Sequence, residues 1–226
     1  MELSKIMEIL KYGGSPENIA GQARFGIRPK KSYGTPMPAI RDLAKKIGRD
    51  HDLALRLWRT GYRETMITAV LIDDPGKVTS RQMEEWALDF YDWEICDQTV
   101  MNLFHRTGNA AEKTLEWCGR DEEFVKRAGF VMIARMALKD SKLGDSYFEA
   151  LYPVIFEGSK DERHNVKKGV SWALRQIGKR NLNLNDFAVK TAEKIGKIDS
   201  PSPRWISSDV LRELTDDRVI TRISRK

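Results

Sequence analysis

The sequence predicts an all-α fold made of repeated helices, and three observations support this prediction. Apolar residues recur at steps of three and four, the period of an amphipathic helix, as in residues 43–57 and 66–71. The strict alternation that is typical of a half-buried strand is nearly absent. Residues that start or stop helices recur along the chain, at 15–17, 35–36, 74–76, 79–80, 108–109, 158–159 and 200–203. These signals predict roughly a dozen helices, mostly of about 8–18 residues.

A weak internal repeat runs through these helices. Several segments begin with one or two basic residues and then become apolar, starting near Arg63, Lys126, Lys167 and Arg204; the helix that contains Trp93 lies between the first two. The starts are 30, 33, 41 and 37 residues apart, close to the roughly 34–47 residues of helical solenoid repeats. The pattern predicts an α-α superhelix of degenerate HEAT-like repeats. Its concave surface would repeat the basic N-terminal ends of the helices, which favour anions through their N–H groups and dipoles.

Composition limits the class of protein. The 226 residues are 41% hydrophobic and include six tryptophans, enough for a core, which excludes a disordered or collagen-like chain. The longest apolar runs, 69–72 and 129–134, are far shorter than the ~20 residues of a membrane helix. The opening MELSKIMEILKYGG lacks a secretory apolar region, and the two cysteines fit no CxxC pattern. We expect one HEAT-like domain over residues 1–226, monomeric, cytoplasmic and in a reducing compartment.

Charge is distributed unevenly along the chain. Residues 160–180 contain seven basic side chains and two acidic ones, whereas residues 84–97 contain six acidic side chains and no basic one. A basic segment of this kind attracts phosphate groups, because each neutralised phosphate releases counterions. The alternative interpretation is a solvated helix face.

The motifs of the common catalytic classes are missing. The sequence has no GxSxG, Walker A, GxGxxG or HExxH pattern, and no cysteine-rich metal set. His51, His105 and His164 are far apart, without a neighbouring ligand at metal-binding spacing. We therefore expect neither a metal nor a cofactor, and any catalysis to rest on carboxylates, aromatic rings and electrostatics.

Trp93 and Asp97 form the first candidate site. They are four residues apart, so on a helix they share one face with Cβ atoms about 6 Å apart. An indole beside a carboxylate can hold a cationic or oxocarbenium-like group. The alternative is a core tryptophan at a helix start, with Asp92 as the N-cap and Asp97 solvated.

Trp172 lies at the centre of the second candidate site. Lys168 precedes it by four residues and Arg175 follows it by three, so basic groups flank an aromatic ring on one helix face. Nucleic-acid-binding proteins combine phosphate contacts and stacking surfaces in this way. The alternative is again a core tryptophan with exposed basic neighbours.

These segments together resemble the AlkD-type DNA alkylation-repair glycosylases, a family of HEAT-like helical repeats. The similarity extends from about Gly34 to Leu214, and it rests on the order and spacing of the set rather than on one motif. The set comprises 33–41 (YGTPMPAIR), 53–72 (LALRLWRTGYRETMITAVLI), the Trp93–Asp97 pair, the helix of Lys126 and Arg127, and 171–176 (SWALRQ).

The resemblance implies a metal-independent hydrolase that removes N3- and N7-alkylated purines from duplex DNA. It assigns Trp93 and Trp172 to contacts with the lesioned nucleotide, and Asp97 to stabilising the oxocarbenium and positioning the water. Arg127 and Arg175 correspond to basic residues that hold the DNA backbone. From their positions beside these residues, we add Lys126 and Lys168 to the predicted DNA contacts.

Two positions depart from the family pattern. Glu94 follows Trp93 where an aspartate is more frequent, and Asp92 precedes it where some members have an aromatic residue. Both departures could alter lesion preference. The competing hypothesis is a non-catalytic HEAT-like module that binds DNA or protein and keeps its tryptophans in the core.

Overall fold

A computed structural model describes residues 1–140 and 142–225. All regular secondary structure in these residues is helical, so the all-α prediction is confirmed. A short 3-10 turn spans Phe104–Arg106. The fifteen α-helices of the described residues are α1 (Leu3–Tyr12), α2 (Pro16–Ala23), α3 (Met37–Ile47), α4 (His51–Trp58), α5 (Arg63–Ile72), α6 (Ser80–Leu88), α7 (Trp93–Asn102), α8 (Ala110–Cys118), α9 (Glu123–Lys139), α10 (Asp145–Glu149), α11 (Tyr152–Gly158), α12 (His164–Gly178), α13 (Leu182–Gly196), α14 (Pro201–Leu214) and α15 (Asp217–Ile223).

Side-chain caps explain several helix starts. The residue before the helix turns to an extended backbone, and its side-chain oxygen accepts a hydrogen bond from a backbone N–H of the first turn. Six of the described helices start with such a cap, including the predicted starts at Ser15 and Thr79. Four of the capping bonds are Ser15 to Asn18 (3.2 Å), Asp50 to Leu53 (3.0 Å), Thr79 to Gln82 (3.1 Å) and Asn181 to Leu184 (2.8 Å). Asp92 and Asp216 cap α7 and α15 in the same way.

The repeat read from the sequence corresponds to actual helices. Arg63 and Trp93 are the first residues of α5 and α7, while Lys126, Lys167 and Arg204 are the fourth residues of α9, α12 and α14. Corresponding helices pack side by side: α5 contacts α7, α9 contacts α12, and α12 contacts α14. The chain is thus an all-α solenoid of HEAT-like repeats.

The chain divides into two compact units, Met1–Ala110 and Ala111–Lys226. In the first unit, the indole of Trp58 stacks on that of Trp86, with ring centroids 4.0 Å apart and planes at 3°. In the second, the ring of Phe130 fills the space beside Gly158, where a Cβ atom would lie 2.2 Å from the ring. Each unit therefore has its own packed core. The single domain that we expect from the sequence stays a prediction.

None of the described helices has the length and hydropathy that crossing a membrane would require.

Candidate functional site

The first candidate pair lies at the start of α7. The carboxylate of Asp92 accepts hydrogen bonds from the backbone N–H groups of Glu94 (3.0 Å) and Ile95 (3.1 Å), which fixes the helix start immediately before Trp93. Trp93 and Asp97 follow one helical turn apart, and both are half-buried. Burial raises the pKa of Asp92, although these N–H bonds oppose the shift. Asp92 is thus the N-cap that the core-tryptophan alternative included, whereas the indole of Trp93 is not in the core: both Trp93 and Asp97 reach solvent.

The indole of Trp93 has a defined orientation. Its Nε1 donates a 2.9 Å hydrogen bond to the backbone carbonyl of Phe25, in the loop between α2 and α3. The same loop is tied to the N-cap, because the N–H of Arg28 donates to Asp92 Oδ2 at 3.3 Å. Trp93 is therefore held at its polar edge.

A buried ion pair fixes α5 to α7 directly behind this pair. Arg63 donates to Glu94 from Nε and from Nη2, both at 2.6 Å, and Arg63 is 2% exposed. Burial opposes the charge of Arg63, but the Glu94 bonds outweigh it and raise the pKa of the guanidinium. Arg63 is one of the basic helix starts that the repeat suggested for a polyanion. Its guanidinium is instead buried and paired with Glu94, so the prediction of a polyanion-binding helix start is wrong for α5.

Glu64 shapes the segment that carries part of the family resemblance. Its carboxylate accepts hydrogen bonds from the hydroxyl of Ser32 (2.7 Å) and from the N–H groups of Tyr33 (2.9 Å) and Gly34 (3.1 Å). Gly34 has φ +78°, and a Cβ there would lie 2.2 Å from the carbonyl oxygen of Ser15. The motif at 33–36 thus builds a tight turn.

A groove in the second unit collects most of the other predicted residues. It is an open cavity of about 330 Å³, near the small end of the roughly 300–1,000 Å³ that is usual for ligand sites. Three helices, α9, α12 and α14, supply its walls. The lining residues are Arg127, Lys168, Trp172, Arg175, Trp205 and Asp209.

The tryptophans of the chain fall into two groups. Trp58, Trp86 and Trp117 are buried, as the core interpretation requires. Trp93 and Trp172 are half-buried, and Trp205 is 37% exposed. The Gln176 amide, in the orientation that satisfies its neighbours, accepts a 3.0 Å hydrogen bond from Trp172 Nε1. Trp172 is thus anchored at its polar edge, as Trp93 is.

Carboxylates of α14 neutralise part of the basic groove. Arg175 Nη1 and Lys179 Nζ bind the two oxygens of Glu213 at 2.5 and 2.6 Å. Arg175 Nε also lies 3.4 Å from Asp209, which accepts a 2.6 Å hydrogen bond from Ser171. Burial opposes the charge of Glu213, but the bonds from Lys179 and Arg175 outweigh it and lower the pKa of Glu213.

The remaining predicted DNA contacts differ in accessibility. Lys168 is exposed. Arg127 is 6% exposed and donates from Nη1 to the carbonyl of Asn165 at 2.8 Å, although it also lines the groove. Lys126 is absent from the groove lining and pairs with Asp161 at 3.1 Å. The structure thus brings Trp172, Lys168, Arg175 and Arg127 together in one groove, which Lys126 does not line.

Two groove residues, Trp205 and Asp209, were missed in the sequence. The available signal was the Arg204–Trp205 pair, which occupies the start of the last repeat helix. In the structure, Lys167 contacts the ring of Trp205, with its Nζ 5.4 Å from the ring centroid.

In the part of the chain that the structure describes, no group of three or more His, Cys, Asp or Glu side chains is arranged to hold a metal ion.

Comparisons with known proteins identify relatives of this chain and its family. Two relatives of unassigned function, protein Lin0241 of Listeria innocua and protein Lmo0209 of Listeria monocytogenes, are 20% and 19% identical over 169 residues. Each match covers 74% of this chain and 73% of the relative. A solved structure described as "a new family of proteins related to the HEAT-like repeat DNA glycosylases with affinity for branched DNA structures" has a TM-score of 0.79 at 20% identity, covering 94% of this chain and 95% of that one. Residues 6–202 match the model of the DNA alkylation repair enzymes. The chain therefore belongs to the DNA alkylation repair enzyme family.

Proposed function

We propose that the protein is a DNA glycosylase that hydrolyses the N-glycosidic bond of N3- and N7-alkylated purines in duplex DNA. It acts as a monomer in the cytoplasm, where DNA is its partner, and it requires no metal or other cofactor. The family membership supports the DNA-repair role. The difference in exposure among the carboxylates around Trp93 supports the catalytic role of Asp97.

One observation carries the catalytic assignment. Of the three carboxylates at 92–97, Asp92 is buried as the helix cap and Glu94 is buried in the pair with Arg63. Asp97 alone among these three keeps partial exposure, and it shares a helix face with Trp93. The two carboxylates that depart from the family pattern are thus closed to solvent, whereas Asp97 reaches it, and on this difference in exposure we assign the catalytic role to Asp97.

The reaction needs little acid catalysis, because the alkylated purine already carries a positive charge. When the C1′–N bond breaks, its electron pair moves to the purine and neutralises that charge, while positive charge develops on the deoxyribose. The Asp97 carboxylate stabilises this oxocarbenium and orients a water molecule, whose oxygen bonds to C1′ and which loses a proton to solvent. The ring of Trp93 adds a cation–π contact.

The second unit supplies further DNA contacts in this proposal. Trp172 contacts the lesioned nucleotide, and Lys168, Arg175 and Arg127 bind the backbone. We retain Lys126 as a weaker candidate, because its pairing with Asp161 competes with phosphate.

The test is the single-turnover rate of base release from methylated duplex DNA. Asp97→Asn keeps the shape and removes the charge, and we expect a loss of roughly 10–1,000-fold. Glu85→Gln is the matched control, since it removes one negative charge from the exposed Arg81–Glu85 pair on α6. Equal rates for the native protein and Asp97→Asn would exclude Asp97 as the charge stabiliser.

A second candidate function is binding of DNA without base release. The solved structure described with affinity for branched DNA, which shares this fold, favours it. Salt-sensitive DNA binding by a native protein that releases no base would support this alternative.

A further inference from the structure

The loop between α2 and α3 carries a one-sided positive charge in the first unit. Residues 18–41 contain five basic side chains and no acidic one. Four of these, Arg24, Arg28, Lys30 and Lys31, lie in residues 24–31, which we call the basic loop, and all four are exposed.

These four cations differ from those of the basic segment at 160–180. In that segment, Lys160, Arg163, Arg175 and Lys179 each pair with a carboxylate, so much of its charge is neutralised internally. None of the four cations of the basic loop pairs with a carboxylate of residues 1–140 or 142–225. The sequence pointed to the later segment, whereas the loop keeps its positive charge.

Main-chain atoms of the basic loop fix it to α7, the helix of Trp93, and to α5, the helix of Arg63. The carbonyl of Phe25 accepts from Trp93 Nε1 at 2.9 Å, the N–H of Arg28 donates to Asp92 at 3.3 Å, and the carbonyl of Lys31 accepts from the N–H of Arg63 at 2.9 Å. Since main-chain atoms make these bonds, the basic side chains extend outward without being needed for the attachment.

Three buried carboxylates adjoin the attachment of the loop, and none of them pairs with its cations. Asp92, Glu64 and Glu94 are all buried and engaged in the cap, the turn and the Arg63 pair. The loop also presents the ring of Phe25, which is 73% exposed. Cations interleaved with an aromatic ring form the type of surface that binds a nucleic-acid backbone.

We propose that the basic loop binds the DNA phosphates that flank the nucleotide at Trp93 and Asp97. Its position next to the reacting nucleotide rests on the function proposed above, whereas phosphate binding by the loop does not require base release. The loop offsets the acidic run at 84–97, whose carboxylates would otherwise repel the DNA from this part of the protein.

The experiment compares the salt dependence of binding to an unmodified DNA duplex. The test variant is the triple substitution Arg24→Ser, Arg28→Ser and Lys30→Ser; Lys31 stays, because its Nζ lies 5.6 Å from the centroid of the Tyr62 ring. The slope of log affinity against log salt concentration should become shallower by up to about 2.7, because each lost phosphate contact removes about 0.9.

A matched control changes the same charge elsewhere in the first unit. Lys45→Ser, Lys46→Ser and Arg49→Ser alter exposed side chains at the end of α3 and should leave the slope close to native. The pair Arg24→Lys and Arg28→Lys keeps the charge and should also keep the slope. Phe25→Ala should weaken binding about fivefold or more at an unchanged slope, because it removes a ring and no charge.

The outcomes separate this inference from the proposed function. A native protein that releases no base, but whose slope falls only with the loop substitutions, supports the loop and excludes the glycosylase. An active glycosylase whose slope is the same in the native protein, the loop variant and the control overturns the loop inference alone. A native protein whose binding to duplex DNA does not depend on salt also overturns it.

Discussion

Arg63 and Glu94 face each other through two hydrogen bonds of 2.6 Å in a site closed to solvent. This pair joins α5 to α7, and it removes Glu94 from the carboxylates that could face DNA. The position of α7, which carries the candidate pair Trp93 and Asp97, therefore depends on the buried charge of Glu94, which has no contact with solvent or DNA in this account.

Arg63→Ala should destabilise the first unit strongly. The substitution leaves Glu94 and Glu64 buried without their cation, and the cost of removing one partner of a buried pair is about 3–5 kcal/mol. Urea denaturation followed by circular dichroism measures the change in the free energy of unfolding. Arg81→Ala, which breaks the exposed pair with Glu85, is the control and should cost less than about 1 kcal/mol. A similar small cost for both would contradict the structural role of Arg63.

Trp93→Phe should loosen the basic loop without unfolding the protein. Phenylalanine keeps an aromatic ring but cannot donate to the carbonyl of Phe25, a net loss of about 0.5–1.5 kcal/mol. Amide hydrogen exchange should therefore become faster in residues 24–31. Trp205→Phe, a substitution in the other unit, should leave exchange in the loop unchanged. Equal protection of the loop in native protein and Trp93→Phe would show that the indole does not hold it.

Glu213→Gln should strengthen DNA binding. Glu213 binds both Arg175 and Lys179. Because the substitution removes the negative charge of Glu213, these two basic side chains become available to bind DNA phosphates. The salt dependence should become steeper by about 0.9 for each additional phosphate contact. Glu193→Gln makes the same charge change at an exposed position of α13 and should leave the slope near native. If the two variants behave alike, the groove is not part of the DNA interface.

Asp161 should make stability depend on pH in the acid range. Burial opposes its charge, but bonds from Arg163 and Lys126 outweigh this and lower the pKa of Asp161 from 3.8 to about 2. Because the folded pKa is the lower one, the ionised carboxylate stabilises the fold above about pH 4, and this contribution disappears as the pH falls towards 2. The difference in free energy of unfolding between the native protein and Asp161→Asn should shrink over that range. A constant difference from pH 7 to pH 2 would refute the assignment.

The helical repeat could be predicted because it depends on local chemistry. Capping residues such as Ser15 and Thr79 mark helix starts through bonds to the next turn, and the apolar period marks the buried face. Each signal involves residues that are only a few positions apart in the chain. The number of helices was underestimated, because short helices such as α10 and α15 span too few turns to show a period.

The partners of charged residues could not be predicted, because they come from distant parts of the chain. Arg175 finds Glu213 38 residues later, and Arg63 finds Glu94 31 residues later. A local count of charge therefore overestimated the basic segment at 160–180 and overlooked the loop at 24–31. Trp205 could not be predicted as a site residue either, because its place in the groove of Trp172 depends on the packing of α14 beside α12.

The most direct test of the account is release of methylated purine from duplex DNA by the native protein, measured against spontaneous loss in buffer. The account predicts release well above the buffer rate, falling roughly 10–1,000-fold in Asp97→Asn. Release no faster than in buffer, by a folded protein that still binds the duplex, would contradict it.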